Sequence, residues 1–522
     1  MLDIPDLQED SILNSFVSER LIYTERGENM AGLSSSLGKG KLGAFSIVFF
    51  VVAASAPLVG MTGAVPVAMV LGNGSATPGA YLLAGITLLI FSIGYAAMSN
   101  HVTNTGAFFA FVGRGLGVRA GVASSYVSLV AYITIQLAIY GFFGLVMNIT
   151  MADYGLTLSW WAWALIGWVI ATLLSVLSID IGAKILGSLL VIELLSLIIV
   201  AIAIFAKGGP ESINFGASFN PSNILAGGFT GTAGIALAFA FASFIGFEAT
   251  AIYGEESKNP KKDVPKATYL AIIFISILFA LVSFAMVVGM GASKVIDQVL
   301  SRSGDLADPA GVLFSLGEEY VGSWIIDLMK ILVLTSLFAG LLAFQNAASR
   351  YFFAMGRAGV MPENLATTNS SGAPQRASLV TSLIAGAVIV IFAVTGLDPY
   401  TQLFSWMSGI SVIAIVLVEI LVSLAVLRYF NSQPNTNIWK TKVAPITSIV
   451  LLLTSLYLLM ARFNLLAGTV TANVDPSLPG SSWKLSPLGW FLVMVPFIAL
   501  VVGYIVATIS KKNHESLSKD FA

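Results

Sequence analysis

Long apolar runs separated by short polar stretches fill the chain from residue 43 to residue 509. A helix needs roughly 20 residues to cross about 30 Å of hydrocarbon. The pattern predicts twelve membrane-spanning helices, at 43–71, 79–99, 119–148, 159–179, 184–206, 229–253, 265–290, 323–354, 378–397, 401–429, 442–462 and 487–509. Helices of this length satisfy their own backbone hydrogen bonds in lipid.

Two of the runs contain residues that interrupt helices. The first holds Pro57 and Gly60 in "AASAPLVGMTGAVP" (53–66), and the sixth holds Gly246 beside Glu248 in "FASFIGFEA" (241–249). Proline removes a backbone donor and glycine weakens a helix. Interruptions at the first and sixth positions indicate two corresponding five-helix halves with a binding site near the midplane. Close helix packing is the alternative, because glycine and proline are common in transmembrane helices.

The distribution of Lys and Arg predicts the orientation, because these residues concentrate in cytoplasmic loops. With the N-terminus inside, only five of the 26 fall in outer segments, namely Lys207, Lys294, Arg302, Arg462 and Lys484. We therefore expect both termini in the cytoplasm and a multi-pass protein of the cytoplasmic membrane. The predicted parts are an N-terminal tail (1–42), a first repeat (43–206), a second repeat (229–429), two further helices (442–509) and a C-terminal tail (510–522).

Composition agrees with this class and excludes several others. With 57% hydrophobic residues, 10% charged residues and a mean hydropathy of +0.89, the chain lies far outside the range of soluble domains. It has no cysteine and two histidines, so zinc clusters and thiolate chemistry lack ligands, and we expect no cofactor and no enzyme activity. Basic residues are not interleaved with aromatic ones in a polar setting, which argues against nucleic-acid binding.

Three stretches carry a resemblance to a known family. "FASFIGFEATAIYGEESKNPKKDVPKA" (241–267) resembles the sixth-helix signature of the amino acid/polyamine/organocation (APC) superfamily of transporters. "NAASRYFFAMGRAGVMPENLA" (346–366) is similar to the segment after the family's eighth helix. "GAFFAFVGRGLG" (106–117) is similar to the segment between its second and third helices, although Phe109 and Phe111 replace two tyrosines.

The resemblance implies an all-α membrane protein with a five-plus-five inverted repeat and discontinuous helices 1 and 6. It also implies secondary transport of an amino acid, amine or polyamine by alternating access, as proton-coupled symport or exchange. Of these substrates we expect an amino acid. Free amides at the N-terminus of a half-helix suit a substrate carboxylate, and free carbonyls at a C-terminus suit an ammonium group. A polyamine importer and a sodium-coupled symporter of the same fold, with Thr335 and Ser336 as candidate cation ligands, are the alternatives.

The same resemblance implies which residues of the two interrupted segments bind the substrate. The substrate-binding residues it implies are Ser55, Ala56, Pro57, Gly60, Phe241, Ala242, Ser243, Phe244, Ile245 and Gly246. Phe241 or Phe244 would close over the substrate, and Ser243 would supply a hydrogen bond. For the two phenylalanines, ordinary packing against lipid or core is the other interpretation.

Carboxylates inside the predicted spans are candidates for ion coupling. An acid in the membrane is costly unless it is protonated, paired or faces a cavity. Burial disfavours the charged form of a carboxyl, so Glu248 could exchange a proton, or it could instead satisfy the broken backbone of helix 1. Glu193 lies mid-span in "LLVIELLSLIIV" and could carry a proton or help to hold Na⁺.

Other charges within the spans have simpler interpretations. Asp327 and Lys330 are three residues apart on one helix, which predicts that they neutralise each other. Glu419, deep in the tenth span, has no partner nearby in sequence and is a third candidate for proton movement. Tyr132 and Gln136 share a face of the third span and could line a pathway or provide packing polarity.

Overall fold

The structure is a computed structural model that describes residues 43–102, 107–177, 183–248, 250, 257–369, 373–434 and 436–510. The predicted N-terminal tail and nearly all of the predicted C-terminal tail lie outside the described residues. Residue 249 and residues 251–256, at the end of the sixth predicted span and just after it, lie outside them as well.

The described chain is built from helices, and its only β-type pairing is the isolated bridge between Val470 and Leu485. The helices of nine residues or more are α1 (Ala44–Ser55), α2 (Thr77–Ser99), α3 (Ala107–Leu116), α4 (Val118–Ala152), α5 (Trp160–Leu177), α6 (Ala183–Lys207), α7 (Ala233–Ala242), α8 (Pro260–Met290), α9 (Val295–Ser303), α10 (Ala310–Tyr320), α11 (Ser323–Arg357), α12 (Gln375–Thr395), α13 (Ser405–Asn431), α14 (Ala444–Ala461) and α15 (Pro487–Ile509).

Ten helical runs of the described residues are long and apolar enough to cross a membrane. One of them, Ala44–Ser99, covers the first two predicted spans, because short α- and π-helical turns continue from Pro57 to Asn73. The bent pair Pro221–Thr230 and Ala233–Ala242 raises the number to eleven. These runs confirm an all-helical chain with many apolar spans, while the count of twelve and the inverted repeat stay predictions.

Helix α4 lies at the centre of the bundle. It packs against α3, α5, α11, α13 and α15, and its most apolar stretch is 83% buried. The most apolar stretches of α5 and α15 are only 28% buried, so these two helices present apolar side chains outward. An apolar surface of this kind suits a lipid environment. Helix α8 packs along α1 and α2.

The predicted pairing of Asp327 with Lys330 is wrong. Lys330 Nζ donates to Asp153 Oδ2 at 2.6 Å, from α11 to the end of α4. The sequence argument considered partners on one helix only. A residue 177 positions away is closer in the folded chain, because α4 and α11 pack side by side.

Candidate functional site

The first run breaks at Ala56. This residue has φ 42° and ψ 68°, in the left-handed region that is unfavourable for alanine, by about 1–2 kcal/mol. The cause is local, because the residue before a proline is disfavoured in the α conformation. Pro57 then begins the next helical turns at a position where its missing N–H is not needed.

Glu193 of α6 is hydrogen-bonded to the backbone directly after this break. Its Oε1 accepts the backbone N–H of Leu58 at 2.7 Å, and the Ser336 hydroxyl of α11 lies near its carboxyl. Glu193 is buried, with 4% of its surface exposed. Its carboxyl therefore satisfies one of the amides that a new helix start leaves free. This position also links α6 and α11 to the broken segment.

The sixth predicted span changes its hydrogen bonding after Ala242, where α7 ends. Successive tight turns follow, in which Phe244 N–H donates to the Phe241 carbonyl at 3.0 Å and Phe247 N–H donates to the Phe244 carbonyl at 3.1 Å. Gly246 has φ 110°, a conformation that a residue with a Cβ rarely adopts. The segment Ser243–Glu248 is thus a compact turn inside the bundle.

The turn and the first break lie side by side. A Cβ placed on Gly246 would lie 3.1 Å from the Cβ of Ala54, two residues before the left-handed Ala56. A Cβ on Gly60 would lie 3.4 Å from Ser243 Oγ and would overlap the ring of Phe279. Two glycines that face opposite segments therefore let the two irregular backbones approach each other.

Glu248 is fully buried at the end of the turn. Its Oε2 accepts the backbone N–H of Gly246 at 2.9 Å, and its Oε1 accepts the Tyr132 hydroxyl of α4 at 2.5 Å. The Tyr95 hydroxyl of α2 donates to the backbone carbonyl of Glu248 at 3.0 Å. Three elements thus hold one carboxyl and its backbone in place.

The two serines among the predicted site residues, Ser243 and Ser55, both use their hydroxyls in hydrogen bonds. Ser243 donates to the Phe239 carbonyl at 2.9 Å, and its hydroxyl lies 3.4 Å from that of Tyr81. Ser55 donates to the Val52 carbonyl at 2.8 Å. Of the stretch from Phe241 to Glu248, only Ala242 is partly exposed.

The two phenylalanines predicted to close over the substrate pack against neighbouring helices. Phe241 lines a narrow apolar gap with Val412 and Val416 of α13, and Phe244 lies against Gly85 of α2. Ile245 is buried beside them. Their roles in closing over a substrate stay predictions.

A second polar network joins the helices around the breaks. Gln136 Nε2 of α4 donates to Gln345 Oε1 of α11 at 2.7 Å, and Gln345 Nε2 donates to Ser382 Oγ of α12 at 2.8 Å. Thr172 of α5 donates to the same serine at 2.9 Å. The network ties four helices together without a charged group.

Several residues that shape the site carry no signal in the sequence. Leu58 enters only through its backbone N–H, which side-chain chemistry cannot reveal. Tyr95, Tyr81 and Tyr351 lie in apolar helices where an aromatic residue is ordinary. Tyr132 was a candidate pathway residue, but its partner Glu248 lies 116 positions away. Only the packing of α4 against the turn brings them together.

Comparison with known proteins identifies the family. The family model described as amino acid permease matches residues 47–517. The chain belongs to the amino acid permease family. Such transporters are not enzymes, and the match agrees with the resemblance found in the sequence. Membership supports amino acid transport by a membrane-embedded, multi-pass protein.

Similar curated proteins are distant in sequence. An uncharacterized transporter of Legionella pneumophila is 24% identical over 367 residues, covering 68% of this chain and 75% of that protein. The aromatic amino acid transport protein AroP of Escherichia coli (strain K12) is 23% identical, covering 72% and 80%. The branched-chain amino acid permease BcaP of Bacillus subtilis is 24% identical, but the match spans 54% of this chain and 51% of that protein.

A solved structure supports the fold alone. The crystal structure of the Eremococcus coleocola manganese transporter, in complex with an aromatic bis-isothiourea substituted compound, aligns with a TM-score of 0.58. The alignment covers 91% of this chain and 99% of that one at 14% identity. Among the described residues of this chain, no three His, Cys, Asp or Glu side chains are grouped closely enough to hold a metal ion.

Proposed function

We propose that the protein carries a neutral, apolar amino acid across the cytoplasmic membrane by alternating access. The observation that carries the proposal is the contact between two irregular backbone segments, the Ala56 break and the Ser243–Glu248 turn. Irregular backbone at membrane depth is tolerated where it is buried in protein or lines a pathway, and paired interruptions mark substrate sites in transporters.

The two segments offer complementary groups to a zwitterion. The turns that begin at Pro57 direct amides toward the break. The Leu58 amide among them already donates its hydrogen bond to the carboxylate of Glu193. A substrate carboxylate would bind to amides beside it. The turn after α7 supplies backbone carbonyls and the Ser243 hydroxyl for the ammonium group. Ser55, Ala56, Pro57 and Gly60 on one side and the segment 241–246 on the other form the proposed site.

The side chains around the breaks favour an apolar substrate. Phe279 and Tyr81 stack with ring centroids 5.1 Å apart next to Gly60 and Ser243. Such aromatic walls suit aliphatic or aromatic side chains. BcaP and AroP, named for branched-chain and aromatic amino acids, point the same way. A polyamine importer is the alternative, in which Glu193 or Glu248 would face an amine.

The architecture we propose has twelve spans, two five-helix repeats related by inversion, and both termini in the cytoplasm. In that arrangement the broken helices 1 and 6 move against the scaffold that contains α4, α5, α11 and α12. The hydrogen-bonded chain from Gln136 to Thr172 supports a rigid scaffold, because it links four helices through buried polar contacts.

We assign ion coupling to Glu193 and Glu248, with a proton as the ion. Both carboxyls are buried, and each is hydrogen-bonded to the backbone of a broken segment. Gaining or losing a proton would change those bonds together with the conformation of the segment. Sodium is the alternative at Glu193, where the Ser336 hydroxyl adds an oxygen ligand.

Uptake into proteoliposomes tests the proposal. The purified protein is given labelled leucine, phenylalanine, glutamate, arginine or putrescine, with an imposed proton gradient, an imposed sodium gradient or neither. We expect accumulation of leucine or phenylalanine under the proton gradient, and counterflow without any gradient. Uptake of putrescine alone would show that the substrate is a polyamine and not an amino acid. Accumulation driven only by the sodium gradient would show that the coupling ion is Na⁺ and not a proton. Indifference to both gradients without counterflow would exclude secondary transport.

A further inference from the structure

Four buried aromatic rings meet beside the part of the first run that follows its break. Phe142 belongs to α4 and Phe239 to α7. Tyr400 and Phe404 belong to the short π-helical segment Pro399–Phe404, which leads directly into α13. All four side chains are buried. We call these four residues the aromatic cluster.

The rings of the aromatic cluster form a continuous stack. The planes of Phe239 and Phe404 lie 14° apart with ring centroids separated by 5.9 Å, and those of Phe404 and Tyr400 lie 11° apart with centroids separated by 5.2 Å. Phe142 lies against the last two rings, with centroid distances of 5.5 Å to Phe404 and 5.9 Å to Tyr400. Aromatic rings at such distances attract each other. The stack therefore connects α7 with α4 and with the start of α13.

The Tyr400 hydroxyl connects the cluster to the first broken run. It donates to the Gly63 carbonyl at 2.5 Å. Gly63 lies in the π-helical turn Gly60–Ala64, which begins at a residue of the proposed substrate site. A Cβ on Gly63 would lie 2.8 Å from the Phe142 ring, so a glycine at this position lets the backbone reach the cluster. One hydroxyl thus holds main chain that is three residues from the site.

The segment that carries Tyr400 is itself held firmly. The Asp398 side chain caps its start and accepts the backbone N–H groups of Tyr400 at 2.9 Å and Thr401 at 2.6 Å. A Cβ on Gly141 of α4 would lie 2.5 Å from the Pro399 carbonyl oxygen, so the segment packs closely on the central helix. Tyr400 therefore connects a fixed support to a segment that we propose to move.

The cluster lies on one side of the proposed site. Gly63 follows the break, and helical turns continue from there to Asn73, so the cluster is on the side opposite to Ala44, where the run begins. With the N-terminus in the cytoplasm, this is the outer side. The cluster joins α4 and the start of α13 to the outer halves of both broken runs. A path from outside to the site has to open between these two parts.

We propose that the aromatic cluster is the outer gate of the transporter and that Tyr400 is the positioning residue that holds it closed through the Gly63 carbonyl. The inference rests on the proposed function and deepens it, because it names the contacts that separate when substrate enters from outside. In the conformation described here the gate is closed. Opening breaks the hydrogen bond and separates the stacked rings.

Tyr400→Phe tests the role of the hydroxyl, because it keeps the ring and its stacking. Loss of the bond to Gly63 favours the outward-open state. Apparent affinity rises as more of the protein occupies the binding-competent state, so the KM for external leucine or phenylalanine should fall. Closing becomes less favourable, so the maximal rate should fall as well. We expect each to fall by about two- to tenfold, the range for one hydrogen bond. A loss of folded protein alone would lower the maximal rate and leave KM unchanged.

Thiol labelling measures the opening without any transport. The chain contains no cysteine, so Ser243→Cys in the proposed site introduces a single reporter. Ser243 is buried in the closed conformation. Intact cells that express S243C, with or without Y400F, are treated with a membrane-impermeant maleimide. We expect labelling from outside to be about two- to tenfold faster when Y400F is present.

Tyr126→Phe is the matched control. The Tyr126 hydroxyl also donates to a backbone carbonyl, that of Val360 at 3.0 Å, but it joins α4 to the chain just after α11, within the proposed scaffold. Y126F should leave the KM and the labelling rate unchanged. Phe404→Leu is a second test of the gate, because it keeps an apolar side chain but interrupts the stack. It should change the KM and the labelling rate in the same direction as Y400F.

A KM in Y400F that is equal to or above that of the unsubstituted protein would overturn the proposal, and unchanged labelling of S243C would do so too. These results are separable from the proposed function, because labelling requires no substrate. Faster labelling in Y400F without transport of any amino acid would sink the transport function alone. Normal counterflow of leucine or phenylalanine in the unsubstituted protein, with KM and labelling unaffected by Y400F, would sink the gate alone.

Discussion

The carboxylate of Glu193 accepts the backbone N–H of Leu58 across 135 positions of sequence. The bond places an acid from α6 at the first amide that the break leaves free, because Pro57 has none. One side chain therefore both completes a helix start and brings a titratable group into contact with the proposed substrate site.

Replacing Glu193 separates these two roles. In E193Q the amide oxygen still accepts the Leu58 N–H, so we expect near-normal thermal stability and counterflow but loss of proton-driven accumulation. In E193A the amide is left buried without a partner, which lowers the free energy of unfolding by about 1–3 kcal/mol. The measurements are thermal unfolding in detergent and uptake into proteoliposomes.

Val191→Ala is the control, because Val191 lies on the same helix with 47% of its surface exposed. It should change neither stability nor coupling appreciably. If E193Q accumulates substrate as well as the unsubstituted protein does, Glu193 has only the structural role.

Gly246 should tolerate no side chain. Alanine there would have to adopt φ 110° and would press its Cβ against Ala54, so we expect G246A to lose about 1–3 kcal/mol of stability and most counterflow. Gly396, after α12, also has a positive φ of 68°, but a Cβ there would meet open space. G396A therefore measures backbone strain alone. Equal transport by the two variants would show that contact between the segments is not needed.

A hydrogen-bonded acid outside the spans predicts a pH effect on stability. Glu211, in the loop after α6, accepts the Ser293 hydroxyl and also the Ser293 backbone N–H at 3.1 Å. These bonds lower the pKa of Glu211. A lowered pKa in the folded state stabilises the protein above the unfolded value of about 4.3, and this contribution disappears as the pH falls through the folded value.

We therefore expect E211Q to have a lower melting temperature than the unsubstituted protein at neutral pH. The difference should shrink and vanish as the pH falls through the folded-state pKa of Glu211. Glu318, an exposed residue near the end of α10, provides the control in E318Q. A difference between E211Q and the unsubstituted protein that grows on acidification would contradict the assignment.

Local chemistry made part of this molecule predictable. Apolar length indicated the helices, and the Ala56–Pro57 pair indicated the position of a break, because proline acts on its immediate neighbour. Family resemblance singled out the segment around Gly246, and family membership is confirmed by the match over residues 47–517.

Partners that come from distant parts of the chain were not predictable in the same way. Lys330 forms its ion pair with Asp153 and not with Asp327 on its own helix. The packing of α4 brings Tyr132 within hydrogen-bonding distance of Glu248. The directions of Phe241 and Phe244 depend on which helices lie beside the turn, and apolar periodicity does not encode that. The role of a backbone donor such as the Leu58 amide cannot be inferred from side-chain chemistry.

The hydrogen bond from Tyr132 to Glu248 predicts a change in the pH profile of transport. Phe at position 132 would remove the donor 2.5 Å from Oε1 and leave the Gly246 amide as a donor to the carboxyl. The ionised form loses about 1.5–3 kcal/mol of stabilisation, the range for hydrogen bonds to charged groups. Glu248 would then keep its proton to a higher pH, so proton-driven uptake, normalised to its own maximum, should extend to higher pH in Y132F.

Tyr400→Phe is the matched control for this prediction. The Tyr400 hydroxyl is also buried and also donates at 2.5 Å, but to the Gly63 carbonyl and not to an acid. Y400F should lower stability and slow uptake, yet the shape of its normalised pH profile should match that of the unsubstituted protein. The measurement is initial uptake of leucine or phenylalanine at a fixed proton gradient over a series of pH values. Identical profiles for Y132F and Y400F would mean that the protonation of Glu248 does not limit transport.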